Sequence, residues 1–297
     1  MTAAEKPGWG TEVAHSATEI PHLAERAGRD EARDFAATVA AIVERHAPSD
    51  PWRPGAAVSD ADPELERALR EAGWDELGRD ETLLPLAAPA GAALGRAFAS
   101  LAPVDLLLGG ALKVGGLVRY ASEAAPLVEP RDGELVVARG ARLSPLPYTD
   151  ALGVAQAEEH GPAGAPIDAD EARVRMAAWC GASTGYLAGL TEEALRLALE
   201  HARSRRAFGG PLAALEPVQQ MLADAATLVD GLTLLTTDRP GVDALAHAGD
   251  AAERAVAICM QVTGALGFTM EFPLQRAYRR SRAARSWNDS VLEAWER

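Results

Sequence analysis

The longest helical pattern in the chain runs from Asp168 to about Arg206, and it limits what the remainder can be. At about 1.5 Å per residue it predicts a rod of about 58 Å, long for a globular protein and in need of partners on several sides. Gly181, Gly185 and Gly189 recur four apart along one face. That spacing either admits a second backbone at close range or marks weak points that a packed helix tolerates. Three further helical patterns follow. The first runs from Pro217 to about Leu235, with Val218, Met221, Leu222, Ala225, Val229 and Leu232 facing inward; the others are Val242 to Thr263 and Phe272 to Arg285. Together with the long helix they predict a four-helix bundle. A short last helix, Val291 to Trp295, is expected after it, with Asn288, Asp289 or Ser290 as its cap.

The 297 residues are 48% hydrophobic but only 5% aromatic, so the core must be built from Ala, Leu and Val, which suits closely packed helices. Ahead of the long helix, Asp30 reads as an N-cap for a helix carrying Phe35, Val39, Ile42 and Val43 and stopped at His46-Ala-Pro48. Asp62-Pro63-Glu64 reads as the start of a short helix, and the Ala-rich stretch 81 to 100 as another, weakened by Pro85 and Pro89. Gly116 to Ala121 and Glu134 to Ala138 are strand-like, with turn chemistry at Pro130-Arg-Asp-Gly133; residues 153 to 166 read as a linker. The expected fold is mainly α with a small β insert: an N-terminal helical domain (1–100), a reduced β middle domain (101–166) and a C-terminal four-helix bundle (167–297).

A net charge of −14 and a pI near 4.9 oppose general attraction to nucleic acid or anionic lipid. The sequence shows no basic-plus-apolar leader pattern and no run of about 18 apolar residues, so a cytoplasmic protein without a membrane span is expected. Cys180 and Cys259 lie in apolar helical patterns and read as buried thiols, and the six histidines show neither metal nor triad spacing, so no metal site is expected. Arginines between Arg276 and Arg285 suggest a face that pairs with acids across a subunit contact.

Chemistry concentrates where the long helix ends. Arg203, Arg205 and Arg206 precede Phe208 and the Gly209-Gly210-Pro211 break, and a new helix starts at Pro217. The arginines either complement the negative end of the helix as a solvated cluster or form an anion site.

Two stretches resemble the C-terminal domain of acyl-CoA dehydrogenases, flavoenzymes that oxidise the Cα–Cβ bond of acyl-CoA thioesters. One is Arg205-Arg-Ala-Phe208-Gly209, with Pro211-Leu212 and Gln219 to Asp224 downstream; the other is Gln261-Val-Thr-Gly264-Ala-Leu-Gly267-Phe-Thr-Met-Glu271-Phe-Pro273-Leu. They are similar to the family's Arg-x-x-Phe-Gly corner and Gln-x-x-Gly-Gly turn, in the same order. The resemblance implies that Arg205, Phe208, Gln261 and Gly264 contact the diphosphate and adenosine of an FAD whose flavin belongs to a neighbouring subunit. A diphosphate calls for guanidinium donors and backbone N–H groups, which this set can present. Glu216 and Ala265 depart from the family pattern, the first adding an acid near the proposed anion.

The catalytic base departs further. The family's Tyr-Glu-Gly-Thr segment, counted from Tyr278-Arg279, corresponds to Trp287-Asn288-Asp289-Ser290, and an amide is no base near neutral pH. A second family location for the base, on the long helix, is Trp179 here. No catalytic residue is therefore assigned. The resemblance implies a shortened subunit that supports FAD and acyl-CoA dehydrogenation, of a fatty acid or steroid side chain, beside a homologous catalytic subunit, with electron-transfer flavoprotein as a further partner. The alternatives are a self-sufficient enzyme using Asp289 as a displaced base, and a helical interaction scaffold without flavin.

Overall fold

The computed structural model describes residues 19–46, 63–119, 126–139, 141–146, 154–159, 164–237 and 240–296. Helices dominate: α1 (Glu19–His46), α2 (Pro63–Glu71), α3 (Leu84–Arg96) and α4 (Ala102–Leu106) lead into strands, and α5 (Ala169–Ser204), α6 (Glu216–Leu235), α7 (Val242–Thr263) and α8 (Leu274–Glu296) form the C-terminal bundle. The architecture is mainly α with a small sheet, as the sequence implied. Helix α1 starts well before Asp30, so that residue is no cap; it lies inside the helix, paired with Arg33. The expected cap at Asp62 lies outside the described residues.

Helix α5 is unbroken for 36 residues. Its start is fixed by Asp168, whose carboxylate accepts from the N–H groups of Asp170 (3.0 Å) and Glu171 (3.1 Å). Its glycines meet α3 backbone to backbone. A Cβ placed on Gly185 would lie 1.8 Å from the Ala88 carbonyl oxygen, and one on Gly189 2.0 Å from that of Ala92. The contact is reciprocal, because Cβ atoms on Gly91 and Gly95 of α3 would each lie 2.1 Å from a carbonyl oxygen of α5, those of Ala182 and Tyr186. Close approach is therefore the reason for Gly185 and Gly189, and the alternative of merely tolerated weak points is excluded for them.

Seven strands form one sheet in the order β5-β6-β2-β1-β3-β4-β7: β1 (Ala111–Val114), β2 (Leu117–Arg119), β3 (Leu127–Arg131), β4 (Glu134–Ala138), β5 (Ala141–Pro145), β6 (Val154–Glu159) and β7 (Ala165–Pro166). All pairings are antiparallel except β1 with β3. The stretch expected to be a linker thus supplies β6 and β7. Side chains alternate between faces, so Leu112, Val128 and Leu135 join the main core while Ala111, Val118, Leu127 and Ala155 make a smaller cluster on the other side.

The sheet is tied to the last helix. The β3–β4 turn holds Asp132 and Gly133 at φ 51° and 77°, and their N–H groups donate to the carbonyls of Ala294 (3.1 Å) and Trp295 (2.7 Å). Two terminal carbonyls of α8 that would otherwise lack partners are satisfied in this way. Helix α8 runs through the Trp287–Ser290 stretch without a break, so the separate last helix and its cap do not form.

The glycine seam makes a direct test. Gly185→Ala is expected to lower unfolding stability by about 1–3 kcal/mol through overpacking, while Gly231→Ala, exposed on α6 with open space around it, raises it by about 0.5–1 kcal/mol. Urea denaturation of the two variants measures both effects.

Candidate functional site

Helix α5 ends because Arg205 turns extended (φ −71°, ψ 126°), its N–H still bonded to the His201 carbonyl at 2.8 Å. A two-residue hairpin follows, β8 (Arg206–Ala207) against β9 (Gly210–Pro211). Its tip, Phe208-Gly209, has φ 53° and 86°, the mirror-image turn that suits so tight a hairpin. Gly209 adopts this freely, whereas for Phe208 it is strained, and the ring is 92% exposed. The hairpin closes through the Leu212 N–H on the Arg205 carbonyl (2.9 Å), and Gln219 in the first turns of α6 donates to the Ala213 carbonyl (2.8 Å). Gln219 therefore shapes the corner from behind.

The second motif makes the connection between α7 and α8. Gly264 stands at φ 60°, ψ −143°, a conformation essentially reserved for glycine, with open space where a Cβ would be. Gly267 is needed for room, since a Cβ there would lie 2.3 Å from the Thr263 hydroxyl oxygen. The loop then brings Phe272 edge-on to His201 of α5, with ring centroids 6.1 Å apart. This contact places the loop at the end of the bundle that carries the hairpin. Arg205, Phe208, Gln261 and Gly264 are all exposed at that end, and no hydrogen bond joins any two of them among the described residues.

Charge is distributed unevenly over the arginines. On α8, Arg282 pairs with Glu253 at 3.3 Å, Arg285 with Glu253 and Asp250 at 2.7 and 3.3 Å, and buried Arg280 donates to the Tyr186 hydroxyl (2.9 Å) and to the carbonyls of Phe98 and Ala99. The expected subunit-contact face is thus largely consumed inside the chain, between α7 and α8. Arg203, Arg205 and Arg206 are exposed and make no ion pair among the described residues. Such a cluster suits an incoming anion.

The two locations considered for a base lie elsewhere and are built differently. Trp179 is completely buried, and its indole Nε1 donates to Asp105 at 3.1 Å. Asp105 on α4 also takes two bonds from Arg119 on β2, at 2.5 and 2.7 Å, both side chains being 2% exposed. The Arg119 guanidinium sits 5.0 Å from the ring centre of Trp287 on α8. Next to it, Asn288 is buried, while Asp289 is exposed and 3.8 Å from Arg285. The buried pair escaped the sequence reading. Its trace was a lone acid in the apolar run Val104-Asp-Leu-Leu-Leu108 and a lone arginine ending a strand-like segment.

The two cysteines are buried, which pushes both thiols up to about 12 and leaves them without thiolate character. Among the described residues no cluster of three or more metal-binding side chains occurs, and no helix is long and apolar enough to cross a membrane.

Residues 175–239 and 245–288 match the family described as acyl-CoA dehydrogenase, C-terminal domain, and so contain both motifs. The match lies within the C-terminal bundle, which is thus similar to that domain. The short-chain specific acyl-CoA dehydrogenase of Bos taurus mitochondria is 37% identical over 106 residues, 32% of this chain and 26% of that one. The chain thus matches about a quarter of the length of such relatives. Among solved structures, the ChsE4-ChsE5 complex from Mycobacterium tuberculosis contains a chain with a TM-score of 0.68 at 19% identity, covering 89% of this chain and 94% of that one. A structure described as a Tcur3481-Tcur3483 steroid ACAD variant gives 0.64 at 15%, covering 90% and 97%. These two likenesses establish the acyl-CoA dehydrogenase fold across the sheet and the N-terminal helices as well.

His201 yields a measurable property of this end of the bundle. Burial first, and the charge of Arg205 second, hold its pKa below the usual 6.5. The folded state therefore binds a proton less readily than the unfolded chain, so stability is full above pH 6.5 and declines as pH falls through the depressed pKa. Denaturation midpoints between pH 7.5 and 5.5 are expected to fall, and His201→Gln is expected to flatten that part of the profile.

Proposed function

We propose that this chain is a supporting subunit of a heteromeric acyl-CoA dehydrogenase, its Arg205 end gripping the diphosphate and adenosine of an FAD seated in a homologous catalytic partner. One separation carries this reading. Arg205 lies 26 residues beyond Trp179 on a single unbroken helix, a distance of about 39 Å. One cofactor cannot be held by the corner and react beside Trp179 and Asn288 in the same chain.

The residues suit the diphosphate. Arg203, Arg205 and Arg206 offer guanidinium groups without an ion pair among the described residues, Gly264 leaves backbone unscreened by a side chain, and Gln261 presents an amide from the last turn of α7. Glu216, exposed at the start of α6, opposes the anion and sets a limit on affinity. FAD would take up the hydride from the β-carbon of the thioester, and the partner would supply the base that removes the α-proton. This chain's residues then bind and orient the far arm of the cofactor. A second subunit also explains why Phe208 is held outward in strained backbone, 92% exposed among the described residues.

The structural neighbours named as two-component pairs, ChsE4-ChsE5 and Tcur3481-Tcur3483, support an assembly of unlike subunits, and the steroid named for one of them makes a bulky acyl-CoA thioester the favoured substrate class. Electron-transfer flavoprotein is the electron acceptor that the family resemblance implies, and the reading places the complex in the cytoplasm. Asp289 is a poor substitute base, since it is exposed on the outer side of α8 near Arg285.

Co-expression with the homologous partner tests the reading. Arg205→Ala is expected to lower the FAD content of the purified complex at least severalfold without dissociating it, measured by flavin absorbance per protein. A complex that keeps its full flavin, or a yellow and active assembly of this chain alone, would refute the proposal.

A further inference from the structure

We infer that Asp105, Arg119, Trp179 and Trp287 form a standing plug between sheet and bundle, with the Trp287 indole occupying the place of a flat aromatic ligand. The inference deepens the supporting-subunit reading and rests on it. Four elements meet here: α4 supplies the carboxylate, β2 the guanidinium, and α5 and α8 one indole each. Asp105 is saturated by three donors, Arg119 Nε and Nη2 and Trp179 Nε1. The ring of Trp287 lies against the cation at 5.0 Å, covering a guanidinium face on which a planar ligand would otherwise stack.

Two features keep the plug in place. Withdrawing either charge leaves the other buried and uncompensated, the costly way to break such a pair. Swinging α8 aside would also break the two bonds by which the β3–β4 turn holds its last carbonyls. One polar atom is left over: the Trp287 Nε1 is buried and has no acceptor among the described residues. An indole so placed is held by its ring, through the contact with Arg119, and not by its polar atom.

Riboflavin is the probe, because it carries the flat ring system but no diphosphate for the Arg205 end. The wild-type chain is expected to leave riboflavin fluorescence unchanged, and Trp287→Ala to bind it at least tenfold more tightly by vacating the ring space. If that variant does not fold, Trp287→Phe and the wild type still decide. In the FAD-loaded complex, the emission lost on Trp287→Phe should equal that lost in the flavin-free complex, since no flavin lies near enough to quench Trp287. Riboflavin uptake by the wild type that disappears in Trp287→Phe, a folded Trp287→Ala that ignores riboflavin, or Trp287 emission quenched by FAD would each overturn the plug. Arg205→Ala separates the two proposals. Loss of FAD in that variant together with riboflavin uptake by the wild type sinks the plug alone, whereas retention of FAD with an inert wild type sinks the supporting role alone.

Discussion

The backbone contact between α3 and α5 is the constraint on which the other arrangements depend. Where a Cβ would fall within about 2 Å of a neighbouring carbonyl, no side chain remains to adjust, and the crossing is fixed by main chain alone. That anchors the N-terminal helices to the bundle over several turns. It also makes α5 a straight member buried along most of its length, so features at its two ends keep their separation.

Polar residues have opposite fates along that helix. Near its first half, a carboxylate, a guanidinium and the Trp179 indole satisfy one another within the core, with the half-buried Trp287 ring against the guanidinium. At its far end three arginines, an aromatic ring and a glycine turn face outward with little to bind them internally. The buried ion pair is thus occupied by its own neighbours, while the groups able to meet an incoming anion lie at the rim.

Much of the helical architecture was legible in the sequence. Periodicity located α5, α6 and α7 closely, since each carries a regular apolar pattern, and α5 and α7 end at extended backbone and at glycine. Helix α8 was read too short because Trp287-Asn-Asp-Ser290 has poor helical preference. Tertiary contacts override it, with Asn288 buried, Arg285 beside Asp289 and the β3–β4 turn closing the end. The sheet was harder, because β6 and β7 are rich in residues that weaken strands, β7 is only two residues long, and each pairs with a strand distant in sequence, β2 and β4. At the candidate site, local motifs singled out Arg205, Phe208, Gln261 and Gly264, which the fold gathers, exposed, at one end of the bundle. The Asp105–Arg119 pair stayed hidden because neither residue has a motif and the pairing exists only once sheet and bundle meet.

The length of α5 has a mechanical consequence. Its far end is packed as well, with Ala198 and Ala202 buried and Phe272 against His201, so the rod and the end of the bundle move together. A tilt of about 5° near Trp179 would carry Arg205 and the hairpin sideways by about 3 Å over a span of about 39 Å. That displacement is comparable to a hydrogen-bond length, sufficient to make or break a guanidinium contact. Stiffness at the α3 crossing therefore sets the aim of the arginines, and packing deep in the bundle governs what its far end presents to solvent.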